Sequence, residues 1–342
     1  MNRLRCPITN KAVVSIITDL NRLENETDFE WELRCCLAKR RKETDMDWVE
    51  IRDMLGLDIT PDQLRKIAVG YEKYDNYIHD DGVFTANRIL SISDAHVPFN
   101  LPPEIFKKYK GRVDTLVFNG DTEDCWSCSS FPRKFRIGLD EEMILTRQYI
   151  IDVINIINPK KVVILKGNHE HRLGRYLTDK LNEELLSIMP DSPLELIVNR
   201  GFHVNNRMNH TNTWYAPITE MFAESGISVE YTGDWYKMIG RTIFAHPLSY
   251  SSGMLKTTEK AVNFFLRENR DFNAICLGHT HKVGSYCQGN IKMYEQGCTC
   301  DLNRLDYNDG KLVIPGQNGY IYLCHDSDGN IIDDKSKLEI IM

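Results

Sequence analysis

Five short runs of apolar and β-branched residues each stop at a polar cluster, and this repetition constrains the fold more than any other feature of the chain. The first three run into Ser93-Asp94-Ala95-His96, Asn119-Gly120-Asp121-Thr122-Glu123-Asp124 and Gly167-Asn168-His169-Glu170-His171-Arg172. The fourth ends at Ala245-His246-Pro247 and the fifth at Gly278-His279-Thr280-His281. Alternate residues at a strand end point the same way, so Asp94 and His96 can reach one cation. Glycine ahead of Asp121 and Asn168 lets the backbone turn and approach closely. Carboxylate, imidazole and amide donors together suit manganese, iron or zinc better than an all-oxygen calcium site. Each cluster alone is weak, since a lone His such as His246 at a strand end is more often a hydrogen-bonded core residue.

Between the clusters the pattern alternates short apolar runs with helix-like segments, which is the rhythm of an α/β domain. Strands are expected at 88–93, 113–119, 161–166, 242–246, 272–277, 291–295 and 320–325. A helix is expected at 140–158, with Ile144, Ile151, Ile154 and Ile157 among its apolar positions. Residues 85–342 then form the main domain and 1–80 a small helical module. Within that module, 44–75 reads as a helix-turn-helix. Trp48, Ile51, Met54 and Leu55 stand at helical spacing before a break at Gly56. Thr60 then caps a helix that Pro61 opens, with Leu64, Ile67, Ala68 and Tyr71 as its buried stripe. Gln63, Arg65 and Lys66 could meet DNA, or the pair could be an ordinary helical hairpin. Residues 1–80 carry 13 Lys plus Arg against 16 Asp plus Glu, a poor balance for DNA contact. The segment 199–234 has little periodicity and reads as an insertion. It is either a cap that meets substrate through His203, Arg207, His210 or Trp214, or a surface excursion.

Composition narrows the class. The 342 residues carry a net charge of -7, which argues against a broad basic surface that coats nucleic acid. A polyanionic substrate would need local positive charge, which bound divalent cations can supply. No apolar run reaches the roughly 18 residues of a membrane span, no secretory leader is evident, and the ten cysteines lack zinc-finger spacing. These features predict a cytoplasmic protein with no membrane partner and mostly reduced thiols.

Taken in order, Asp-x-His, Gly-Asp-x-x-Asp, Gly-Asn-His-Glu, His and Gly-His-x-His resemble the calcineurin-like metallophosphoesterase family across residues 88–298. The resemblance implies an α/β layered fold, a β-sandwich flanked by helices, with ligands for two divalent metal ions on loops at one sheet edge. By position, Asp94, His96, Asp121 and His281 would hold the first ion. Asp121, Asn168, His246 and His279 would hold the second, with Asp121 as the bridge. Manganese is the first choice of metal, with iron or zinc as alternatives. Two cations roughly 3.5–4 Å apart can generate a bridging hydroxide and offset charge in an in-line displacement, which is phosphoester hydrolysis. His169 matches a histidine near the leaving-group oxygen and suits a general acid. Asp124 would orient it, or merely cap the next helix. Arg172, with His171 beside it, would bind a phosphate oxygen, or Arg172 would pair with Glu170 or Glu123.

One departure bears on substrate. Phosphoprotein phosphatases of the family follow the motif-two acid with Arg-Gly, whereas Asp124 here is followed by Cys125-Trp126. The helical module, GNHEHR, and AHPLSYSSGMLKTTEKAVNFF before GHTH are similar to phage- or prophage-encoded phosphoesterases, which implies a bacterial or phage-infected cell. A nucleic-acid or nucleotide phosphodiester is therefore the expected substrate, cut as a nuclease or phosphodiesterase would cut it. A phosphomonoesterase or protein phosphatase is the alternative enzyme. A DNA-binding module with a degenerate site is the alternative of another class.

Overall fold

The computed structural model describes residues 20–23, 26–41, 43–79, 85–129, 137–206, 210–305 and 315–341. The chain divides into two compact units, Met1–Val83 and Phe84–Met342. Among the described residues no helix is long and apolar enough to cross a membrane, and the nine described cysteines are free thiols.

The first unit is helical. α1 (Asp28–Arg40) opens on a capping box in which Thr27 and Glu30 satisfy each other's backbone N–H. α2 (Trp48–Leu55) opens on a second box, Asp47 with Glu50, and closes at Gly56, whose left-handed φ of 66° costs glycine little. α3 (Pro61–His79) follows, with Thr60 Oγ1 accepting from the Gln63 N–H at 3.2 Å and the Gln63 side chain returning the bond. Cys35, Cys36, Ala38, Ile51, Leu64 and Ala68 form the core. Two features depart from expectation. α1 buries the consecutive run Cys35-Cys36-Leu37-Ala38 instead of a spaced stripe, so periodicity does not reveal it. Ile67, assigned to the buried stripe of α3, is exposed, because the core receives Leu64 and Ala68 alone from that turn. Of the candidate DNA contacts, Gln63 caps its own helix and Lys66 pairs with Asp62 at 2.9 Å.

The second unit is a layered α/β sandwich. Its strands are β1 (Asn87–Ile92), β2 (Thr115–Asn119), β3 (Lys161–Leu165), β4 (Phe202–Asn206), β5 (Thr211–Tyr215), β6 (Ser228–Tyr231) and β7 (Tyr236–Ile239). They continue as β8 (Thr242–Ala245), β9 (Ala274–Leu277), β10 (Val283–Gln288), β11 (Ile291–Gln296), β12 (Gly319–His325) and β13 (Lys337–Ile340). One sheet has the order β13-β12-β1-β2-β3-β6, the other β10-β11-β9-β8-β7, and β4 and β5 form a two-stranded sheet. β1, β2, β3 and β6 run parallel, as do β8, β9 and β11.

Side-chain alternation assembles the layers. Ile89, Val117, Val163 and Leu165 of the first sheet meet Phe244 and Cys276 of the second in one inner core. Leu90, Ile92, Leu116, Phe118, Val162 and Ile164 point the other way, against α4 (Leu139–Ile157). Ile243, Ala245, Ile275 and Leu277 point outward from the second sheet onto the helix Lys256–Arg267. Both faces of the central strands are therefore buried, which explains why their sequences are continuous apolar runs. The expected strands and the 140–158 helix all form, within a residue or two of their bounds.

β6, β7, β10 and β13 are additional. They lie at sheet edges and keep half-buried or exposed residues, so they carry little apolar signal. The 199–234 segment is more ordered than its lack of periodicity suggests. It supplies the β4–β5 hairpin and then β6, which adds to the edge of the first sheet beside β3. His203 packs on Trp214 within the hairpin, with ring centroids 4.7 Å apart, and Arg207 lies outside the described residues.

The inner core yields a direct test. Phe244 is fully buried between the sheets, so Phe244→Ala should cost about 3–5 kcal/mol of unfolding free energy. Denaturant unfolding measures it; a loss under about 1 kcal/mol would contradict the packed inter-sheet layer.

Candidate metal centre

Parallel strands share a direction, so the loops that follow β1, β2 and β3 leave one sheet at one end, where ligand sites of α/β sheets form. β8 and β9 deliver theirs from the second sheet. The turns after β1 and β2 stay joined: Asp94 N–H donates to the Gly120 carbonyl at 3.1 Å, His96 N–H to Asp121 at 3.0 Å and Asp124 N–H to Val97 at 3.1 Å. Glycine makes the convergence possible. A Cβ on Gly167 would stand 2.2 Å from Asp121 Oδ1, one on Gly120 would stand 2.4 Å from the His246 ring, and one on Gly278 would stand 2.1 Å from Ser93 Oγ. Asp94, His96, Asp121, His279 and His281 all have φ between 47° and 75°, left-handed backbone that ordinary residues avoid. Such conformations cost roughly 1–2 kcal/mol each and persist only where surrounding structure imposes them.

The side chains gather into three overlapping groups, Asp94–His96–His281, Asp121–His246–His279 and His96–Asp121–His169, each with donor atoms within 4.8 Å of one another. His281 Nε2 lies 3.1 Å from Asp94 Oδ1 and 3.0 Å from His96 Nε2. His246 Nε2 lies 3.2 Å from both Asp121 Oδ2 and Asn168 Oδ1, and His279 Nδ1 also contacts Asn168 Oδ1. All seven residues expected to ligate metal thus stand together. Asp94, His96, Asp121, His246 and His281 are buried, whereas Asn168 and His279 are half-buried, so the centre opens on their side.

Hydrogen bonds behind the ring nitrogens orient them. His246 Nδ1 donates to the Asn119 carbonyl at 2.7 Å, leaving Nε2 toward Asp121. His96 Nδ1 stands 2.9 Å from Asp124 Oδ1, leaving Nε2 toward Asp94 and His281. Histidines that ligate metal commonly have such partners on the far nitrogen. Asp124 also lies 2.9 Å from His169 Nδ1, so one carboxylate faces two imidazoles. Arg172 pairs with neither Glu170 nor Glu123; it donates to the Asp124 carbonyl and to His169 Nε2, each at 2.8 Å. His171 stands outside the three groups, its buried Nε2 without a hydrogen-bond partner. The sequence does not announce the role of Glu170: its carboxylate accepts the N–H groups of Gly167 at 2.8 Å, Glu123 at 2.9 Å and Asp121 at 3.1 Å, clamping the second and third loops. Nor does it announce Asn119, which works through its backbone carbonyl.

Electrostatics tie the groups together. Burial opposes ionisation of Asp94, but His246 and His281 outweigh it and hold the carboxyl at about 2. Burial likewise opposes ionisation of Asp121, and His169 and His246 drive it well below the usual range. Burial works against the charge on His246 and His281, yet the aspartates raise them to about 10 and about 9. His279 goes the other way, to about 4, through burial and then its neighbour His246. The donor set fits divalent cations on the structure's own terms. His279 Nε2 is buried without a partner, and two ionised carboxylates are balanced by imidazolium protons that a cation can replace.

The family model described as "Calcineurin-like phosphoesterase" matches residues 87–283, more than half of the 342. Among solved structures, Vps29 from Entamoeba histolytica complexed with Zn²⁺ is similar at 14% identity, over 74% of this chain and 98% of that one, with a TM-score of 0.34. A conserved predicted phosphoesterase from Streptococcus pneumoniae TIGR4 is similar at 12% identity, over 75% and 98%, with a TM-score of 0.28. An archaeal phosphodiesterase is similar at 13% identity, over 74% and 99%, with a TM-score of 0.31. No curated protein matches the chain.

Protons compete with metal at this centre. The aspartates raise His246 to about 10 and His281 to about 9, so the protonated form is favoured at neutral pH and a ligated ion must displace those protons. Metal uptake should release protons, and affinity should fall as pH falls, about tenfold per pH unit for each proton displaced. Calorimetry in buffers of different ionisation enthalpy measures this release. Uptake without proton release, or affinity that rises on acidification, would contradict the assignment.

Proposed function

The chain belongs to the calcineurin-like phosphoesterase family, and from that premise we propose that it is a metal-dependent hydrolase acting on a nucleotide or nucleic-acid phosphodiester. Asp94, His96, Asp121 and His281 would hold one divalent ion, and Asp121, Asn168, His246 and His279 the other. Manganese is the proposed ion, with zinc or iron as the alternatives that the same donors accept. When bound, the ions supply positive charge for the phosphoryl oxygens and acidify water. The observation that carries the reading is the convergence of five loops from two sheets into three overlapping carboxylate-imidazole groups, two of which contain Asp121.

The remaining groups divide the work of binding and proton transfer. The Asp124 main-chain carbonyl accepts from His169 Nδ1 at 2.9 Å, with the Asp124 carboxylate equally close, and this keeps the ring's Nε2 toward Asp121, 3.7 Å away. Arg172 occupies that Nε2 as a donor. On substrate entry its planar guanidinium would transfer to a non-bridging phosphoryl oxygen, freeing His169 Nε2 to take a proton from solvent and pass it to the leaving oxygen. Asp124 would hold the ring throughout. This substitutes for the arginine that phosphoprotein phosphatases carry after the motif-two acid and that this chain lacks.

The experiment is a substrate panel with Mn²⁺-loaded protein: a bis-aryl phosphate, an aryl monophosphate, and labelled single- and double-stranded DNA. Diester or DNA turnover is expected; turnover of the monoester alone would overturn the diester reading. Asp121→Asn should abolish turnover. His169→Gln should retain metal and lose about 10²- to 10⁴-fold in kcat, the usual contribution of a positioned acid. An Asp121→Asn protein with normal metal content and rate would sink the site assignment.

A further inference from the structure

Beside the metal centre lies a cavity of about 340 Å³ whose walls include Trp235, Leu248, Tyr250, Ser251, Lys260 and Phe264. That volume is at the small end of ligand pockets, which run roughly 300–1,000 Å³. It suits one ring system better than a chain of nucleotides. Two of the cavity's lining residues touch the centre's histidines. The Trp235 carbonyl accepts the His246 N–H at 2.7 Å, and the Tyr250 ring meets the His279 ring edge-on, with centroids 5.6 Å apart. It therefore adjoins the side on which Asn168 and His279 leave the centre open.

The wall is held in place without being buried. The loop after His246 is pinned by the Ser251 N–H donating to Thr257 Oγ1 at 2.8 Å, by Lys260 Nζ donating to Ser251 Oγ at 2.7 Å, and by Lys282 Nζ donating to the Ser252 carbonyl at 2.7 Å. Trp235 is fixed from behind by the Phe265 ring, stacked at 5.4 Å. Yet Tyr250 is 62% exposed, Leu248 52% and Phe264 41%. A fixed loop that holds large apolar side chains in solvent next to a reactive centre is organised for a ligand.

We propose that this cavity is the subsite for the base of a nucleotide substrate, an inference that rests on the phosphoester reading above. The chemistry selects a planar ring with a polar edge. Aromatic side chains such as Trp235 and Tyr250 offer faces for stacking, which every base accepts. The Lys260 ammonium keeps two further N–H donors beyond its bond to Ser251, and the Ser251 hydroxyl can donate, so ring nitrogens and carbonyls of a base edge find partners. A purely aliphatic group would leave those polar atoms unpaired, and an anion would meet a mostly apolar wall. With the base in the cavity, the attached phosphate would lie toward Asn168 and His279.

Calorimetric titration of Mn²⁺-loaded protein with AMP and with ribose 5-phosphate isolates the base, because the two ligands share sugar and phosphate. AMP should bind at least about tenfold more tightly, the range expected for one stacked base. Tyr250→Ala and Lys260→Ala should each weaken AMP severalfold while leaving ribose 5-phosphate unchanged. Equal affinities in the unmodified protein, no binding of either ligand, or an AMP preference that survives both substitutions would overturn the subsite. The titration reads binding alone, so it separates this inference from the enzymatic one. Selective AMP binding with no turnover of any phosphoester would keep the cavity and remove the hydrolase.

Discussion

Two ionised carboxylates buried side by side are the constraint on which the rest of this structure depends. Asp94 and Asp121 are almost wholly removed from solvent, and isolated charges in such a place would be prohibitively costly unless paired. The fold answers with four imidazoles in the two carboxylate groups, two of them driven to the protonated form by the aspartates themselves. A site that favours protons on the nitrogens of two proposed ligands, with one further ring nitrogen buried and unpartnered, is balanced for replacement of those protons by cations.

Bringing these groups together requires strained backbone and missing side chains. Five of the seven proposed ligands adopt left-handed φ values, and three glycines stand where any Cβ would collide with the centre. The compensation lies in the layers behind. The inner core locks the two sheets face to face, while Glu170 fastens the second and third loops through three backbone N–H groups. Rigid strands and a clamped loop pair therefore hold the geometry, which is how an imposed conformation becomes stable.

Much of this was legible in the sequence, for identifiable reasons. The central strands are buried on both faces, so β2, β3, β8 and β9 read as near-continuous apolar runs and β1 as one broken at Ser91, each marked at its end by a chemistry-bearing cluster. Edge strands such as β10 and β13 lack that signal because solvent takes one of their faces. α1 stays hidden because its buried residues are consecutive and its caps lie outside any apolar periodicity. The identity of the clustered side chains was also readable. The partners that act through backbone were not: the carbonyl of Asn119 and the N–H groups that Glu170 collects have no residue-type signature. Arg172 illustrates the intermediate case, since its type suggested an anion, and only three-dimensional placement puts it on His169 and Asp124.

Anomalous scattering from crystals loaded with Mn²⁺ tests the central claim most directly. The account predicts two peaks between the loops, roughly 3.5–4 Å apart as in other two-metal sites, with Asp121 reaching both and the other six proposed ligands divided between them. A single peak, peaks away from these loops, or two ions without Asp121 between them would contradict it.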